Sequence, residues 1–323
     1  MTNSMRRIVY VLGAVCATGG STLGQGGVAL QQPGPQQQLQ QPQAMPVPPE
    51  FVLNPMQQAY LDQVLSSWQT ESAKVTIFQC PFERWEYNNA FGPGGGLPLH
   101  KNLGDLSYQQ PDKGSFQITE VRTWQATPVP PGGAPPAQAT GDWVKQVGAI
   151  GEHWVSDGKN IYEYRANQKQ LVVRPIPPAL QGKAIQDGPL PFLFGADAAK
   201  LKARFRMRAE QQVNNPDEIL VQALPTLPAD AADYKQIDVL LDRKRMMPKA
   251  MQVHLPNGDR HMYMFQIENA TVNGNLQRIM AFFTAPRTPW GWKRVVEDIP
   301  QPAPQPPGAL DGRQAAQPEG VPR

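Results

Sequence analysis

His254 and His261 flank the turn Pro256-Asn257-Gly258-Asp259. A hairpin there makes them candidates for a two-ligand metal site. No cysteine, HExxH pattern or third close ligand joins them, so no metal and no other cofactor is expected. His153, Ser156 and Asp157 are the residue types of a base, a nucleophile and an orienting acid. Such close spacing along one strand and turn rarely produces triad geometry. GxSxG, P-loop and GxGxxG patterns are absent. The expectation is therefore no catalytic residue and no enzyme activity. The chain has two cysteines, Cys16 and Cys80. Cys80 reads as a small buried hydrophobe in a strand, with a reactive thiol as the alternative.

The remaining chemistry is that of binding. Met246, Met247, Met251, Met262 and Met264 crowd one hairpin. Thioether side chains adapt to irregular apolar ligands, and they also fill ordinary cores. Trp124, Trp154, Tyr162 and Tyr164 are candidates for an aromatic wall, though a half-buried sheet needs such residues anyway. Lys200, Lys202, Arg204, Arg206 and Arg208 alternate with apolar or small residues. On a strand they would form one basic face, suited to lipid headgroups or simply to water. The formal charge is +3, from 30 basic and 27 acidic residues. That is too mild for nucleic acid, and no basic run interleaves with aromatics.

These residues must be positioned by strands with a few helices. Asn54 is a good N-cap and Pro55 suits the first helical position. Leu61, Val64, Leu65 and Trp68 then form one stripe of an amphipathic helix. Strands are expected over 74–87, from Phe116 to Trp124, and over 150–155, 161–165 and 170–174. Asp157-Gly158 is a strong turn signal within them. A short helix opens near Pro191-Phe192-Leu193 and runs from Asp197 to about Leu201. Strands follow over 205–210, 219–224, 235–241, 251–255 and 261–267. Sequential hairpins with few helices imply an α+β antiparallel sheet with helices on one face.

Several segments, in order, resemble the periplasmic carriers that ferry lipoproteins to the outer membrane. They are Tyr60-Leu61-Asp62-Gln63-Val64-Leu65, Gly104-Asp105-Leu106-Ser107-Tyr108 and Ser156-Asp157-Gly158-Lys159 with Tyr162 and Tyr164. Pro191-Phe192-Leu193, Asp217-Glu218-Ile219-Leu220 and Phe282-Phe283-Thr284-Ala285-Pro286 continue the series, the last resembling a closing strand. The Pro/Gln-rich leader and Gly188-Pro189-Leu190-Pro191-Phe192-Leu193-Phe194-Gly195 also resemble a group of exported planctomycete proteins. The carrier resemblance implies an open, unclosed antiparallel β-barrel whose concave face is covered by helices. It implies a non-enzymatic protein that binds a lipid or an acylated protein, with peripheral membrane contact. The implied lining is Leu106, Phe116, Ile118, Tyr162, Tyr164, Met251, Val253, Met262 and Met264. Gln110 stands where the carriers have the arginine of a lid latch, and lacks its planar charged fork. A departure of that kind leaves a second reading, an envelope scaffold with a filled core and protein partners.

The ends give the expected address. Arg6-Arg7 precedes an apolar run, Ile8 to Ala17, too short to span a bilayer. Small residues follow, with a cleavage point after Gly24. Residues 1–24 read as a secretory signal, which implies export to the periplasm or cell envelope. Val15 before Cys16 departs from a lipoprotein signal, where a small residue is expected. Residues 25–50 and 300–323 are Pro-rich with few large apolar groups and read as disordered tethers. Residues 51–299 would form the carrier-like domain, with a Pro/Gly-rich insertion at 127–140.

Overall fold

The computed structural model describes residues 47–94, 96–128, 140–178, 181–182, 192, 197–274 and 280–297. The signal, most of the first tether, all of the second, most of the 127–140 insertion and most of the 189–195 helix start lie outside the described residues. The architecture is a large, mostly antiparallel, unclosed sheet with few helices.

Helix α1 (Pro55–Ala73) starts as its sequence dictates. Asn54 accepts a hydrogen bond from the Gln57 amide, and the Gln57 side chain accepts one from the Asn54 amide. This reciprocal cap satisfies two of the orphan amides of the first turn. The strands are β1 (Ile77–Tyr87), β2 (His100–Gln109), β3 (Lys113–Ala126), β4 (Gly141–Lys145), β5 (His153–Asp157), β6 (Asn160–Arg165) and β7 (Gln170–Pro175). Helix α2 (Ala198–Arg204) runs into β8 (Phe205–Gln211) and β9 (Glu218–Pro225). Helix α3 (Pro228–Asp233) precedes β10 (Gln236–Asp242), β11 (Met247–His254), β12 (Arg260–Phe265), β13 (Thr271–Val272) and β14 (Lys293–Val296).

The strands form one 14-stranded sheet in the order β14-β7-β6-β5-β3-β2-β1-β12-β11-β10-β9-β8, with β13 on β1 and β4 on β3. Among the described residues only the β14–β7 pair is parallel. Both expected hairpin turns are present. Gly158 has φ 88°, which a side-chain-free residue takes without strain. The Asp157 carboxylate accepts from the amides of Lys159 and Asn160 across that turn. Pro81 sits mid-strand, where its missing N–H would break a ladder. It lies where β1 passes from β12 to β13, so neither partner needs that donor.

One large cluster holds the core. Leu61, Val64, Leu65 and Trp68 of α1 pack with Phe78, Cys80 and Phe82 of β1, Leu106 of β2 and alternate residues of β8–β11. The apolar phase of β3 slips. Phe116 and Ile118 face this cluster, and so does Val121. Gly104 pairs Ile118 and Leu103 pairs Glu120, so Thr119 is an extra residue that restores the phase. Beyond β3 a second, smaller cluster lies on the other face. It comprises Val155, Tyr162, Leu171 and Val173, with Tyr164 beside it.

Several expectations need correction. The strand expected from residue 150 begins at His153, and Ile150 is exposed. Lys200, Lys202 and Arg204 lie on α2, because the Asp197 side chain caps its first amides. They do not continue the strand face of Arg206 and Arg208. The expected closing strand at 282–286 begins in a 3-10 turn, Met280–Phe283, and the last strand is β14.

Trp68 is fully buried between α1 and the sheet. Trp68→Ala is expected to cost about 3–5 kcal/mol in urea unfolding. Met56→Ala, on the exposed side of the same helix, is expected to stay within about 0.5 kcal/mol.

Candidate binding face

The face of the sheet on which α1 packs has two zones. The first is aromatic. Phe82 stacks on Phe116 at 4.9 Å, and Phe116 on Trp154 at 5.7 Å. Tyr263 and Phe265 continue this surface onto β12. Among the described residues, the Trp68 Nε1 and Tyr234 hydroxyl are buried here without a hydrogen-bond partner.

The second zone is charged. One pleat beyond Phe82 on the same face of β1 is Arg84. Its guanidinium reaches Glu86 and Glu152, each at 2.6 Å. Asn102, opposite Arg84 on β2, donates from Nδ2 to Glu86 at 2.9 Å. Glu152 comes from the segment before β5, whose carbonyl accepts from the Ile118 amide. A side chain on Gly151 would meet Ile118 at 2.5 Å, so glycine there permits this close approach. Farther along, Arg165 and Arg174 each bridge Glu163 and Glu297. Burial raises the Glu152 carboxyl above its ordinary range, more than Arg84 lowers it. Burial pushes Glu86 the same way, but Arg84, His261 and His100 outweigh it and hold that carboxyl low.

The sequence candidates distribute over this frame unevenly. Leu106, Phe116, Ile118, Met251 and Val253 come together in the large cluster. Tyr162 and Tyr164 belong with the second cluster, on the opposite face. Met262 and Met264 alternate with Tyr263 and Phe265 and therefore point away from the large cluster. Gln110 is exposed at the end of β2, and its amide donates to the Thr76 carbonyl. Trp124 pairs with Trp143, far in register from Trp154, so the four aromatics form no single wall.

The histidine expectations are corrected. His254 pairs Arg260 and Val253 pairs His261, which puts the two histidines on opposite faces. His254 bonds Asp238, while His261 faces Glu86. No group of three or more potential metal ligands converges among the described residues. The Ser156 hydroxyl donates to the Asp112 carbonyl, and His153 lies on the other face of β5, stacked on Tyr164. The basic row is largely engaged: Lys202 with Asp62, Arg204 with Asp230, Arg208 with Glu210. Sequence reasoning missed the Arg84–Glu86–Glu152 cluster. The alternation Arg84, Glu86 within an apolar strand was the available signal.

Burial pushes the Cys80 thiol up to about 12, with Asp105 adding to it. Iodoacetamide is expected to alkylate Cys80 at least about a hundredfold more slowly in the native than in the unfolded chain, read by peptide mass spectrometry. Burial also lowers His153 and His261 to about 4. The unfolded chain then binds protons that the native chain refuses. Stability should be full above about pH 6.5 and fall as pH drops toward 4. Urea melts of wild type and His261→Gln across that window check this, and the variant should show the shallower loss.

Among the described residues no helix is long and apolar enough to cross a membrane. No protein-family model matches the chain, and no curated protein matches it in sequence. By structure it is similar to an uncharacterized conserved protein from Thermus thermophilus, at 9% identity and TM-score 0.39, over 73% of this chain and 99% of that one. It is similar to a LolA superfamily protein from Nitrosomonas europaea, at 9% identity and TM-score 0.28, over 68% and 97%. It is similar to a putative outer membrane lipoprotein-sorting protein domain from Vibrio parahaemolyticus, at 12% identity and TM-score 0.28, over 67% and 94%. With TM-scores this low, these likenesses assign no function.

Proposed function

We propose that this chain is an exported, non-enzymatic binding protein that holds the acyl chain of a lipid or acylated protein. Residues 51–299 are the binding unit, and 1–24, 25–50 and 300–323 are the signal and tethers. Helices α1 and α2 cover the concave face of the open sheet, and the chain enters beneath α1. Leu106, Phe116, Ile118, Met251 and Val253 line it there. Tyr162, Tyr164, Met262 and Met264 serve the opposite face or the rim. Gln110, in place of a latch arginine, leaves the cover held by packing. The cycle involves peripheral membrane contact.

One observation supports this reading: the apolar stripe of α1 belongs to the same buried cluster as the apolar face of the unclosed sheet. Magnitudes make exchange feasible. Lifting α1 exposes Leu61, Val64, Leu65 and Trp68. That costs roughly 6–12 kcal/mol, at about 1.5–3 kcal/mol per side chain. A sixteen-carbon chain recovers on the order of 12 kcal/mol, at about 0.8 kcal/mol per methylene. An eight-carbon chain recovers only about half of that.

A second reading has its own support. The continuous stack Phe82–Phe116–Trp154 fills the same face with side chains. That favours an envelope scaffold with protein partners and no lipid cargo.

Chain length separates the two. Displacement of a fluorescent fatty acid should show micromolar or tighter binding for palmitate and binding about ten-thousandfold weaker for octanoate. No uptake at any length would leave the scaffold reading.

A further inference from the structure

We infer that the Arg84–Glu86–Glu152–Asn102 cluster is a subsite for a primary ammonium group at the polar end of the bound amphiphile. The inference rests on the acyl-chain reading above and names its headgroup.

Position is the first argument. Arg84 and Asn102 stand one pleat beyond Phe82 and Gly104, on the same face. Arg84 lies 5.9 Å over the Phe116 ring. An alkyl chain on the aromatic zone would therefore end at these polar groups. The Glu86 and Glu152 side chains are partly open to solvent, while Arg84 is buried.

Charge is the second argument. One guanidinium stands against two carboxyls. The neighbouring Glu163, Glu297, Arg165 and Arg174 balance among themselves. His100 and His261 face Glu86, and burial keeps His261 neutral near pH 7. Asp259 adds negative potential at His261. A second cation would complete the cluster by pairing the carboxyl that one guanidinium leaves in excess.

An unmet acceptor is the third. Asn102 is 3% exposed, and its Oδ1 has no partner among the described residues. Its amide already lies in the cluster, bonded to Glu86 through Nδ2. Burying an unsatisfied acceptor is costly, and an ammonium supplies three donors. A phosphate or carboxylate head would supply none and would face two carboxyls.

The test compares dodecylamine, dodecanol and dodecanoate on the full chain by displacement of a fluorescent fatty acid. The amine is expected to bind about tenfold tighter than the alcohol. Glu152→Gln should bring the amine within about twofold of the alcohol, both measured on that variant. The wild-type comparison needs no variant, so a misfolded Glu152→Gln does not spoil the test. Equal binding of all three would overturn the ammonium subsite while keeping the acyl-chain reading. Binding of none would overturn both. Phosphatidylethanolamine vesicles and a palmitoylated lysine peptide then distinguish a lipid source from a protein source. Uptake of either supports the assignment, and uptake of neither overturns it.

Discussion

An open sheet must cover its apolar face, and in this chain the apolar stripe of one helix packs into the cluster on that face. The stripe Leu61, Val64, Leu65 and Trp68 is what β1, β2 and β8–β11 pack against. Without it, the part of that cluster it covers would be a wet apolar patch. The cap at Asn54 and Gln57 fixes where the helix starts. Asn273 fixes where it ends, donating to the Lys74 carbonyl and accepting from the Thr76 amide.

The sheet changes its buried side as it crosses β3. On the β1 side the core lies under α1, and past β5 it lies on the opposite face. The face given up by the core is where the charged groups sit: Glu152, then Glu163, Arg165 and Arg174. The same strands thus present an apolar zone and an ionic zone on one surface. The sheet edges are protected by ordinary means. β14 is short and carries Lys293 and Arg294, and β8 carries Arg206 and Arg208.

Local chemistry was legible in the sequence. The α1 cap and stripe, the Gly158 and Gly258 turns and the alternation of Ile237, Val239 and Leu241 all follow from period and turn preference. What failed depended on registration. The Thr119 bulge resets the phase of β3, and no residue type announces it. His254 and His261 separate because a turn of this length pairs 254 with 260. Lys200 to Arg204 alternate like a strand, yet the Asp197 cap starts a helix first. The charged cluster was invisible because Arg84 and Glu152 lie 68 residues apart. The candidate face was half legible for the same reason. Leu106, Phe116, Ile118, Met251 and Val253 converge, whereas Met262 and Met264 are one residue out of phase.

Native mass spectrometry of the chain purified from its own envelope, followed by lipid extraction, tests the central claim most directly. The account predicts a co-purifying lipid or acylated species, lost when Phe116 is changed to Glu in a variant that still folds. Apo protein, clean of lipid under gentle extraction, would contradict it.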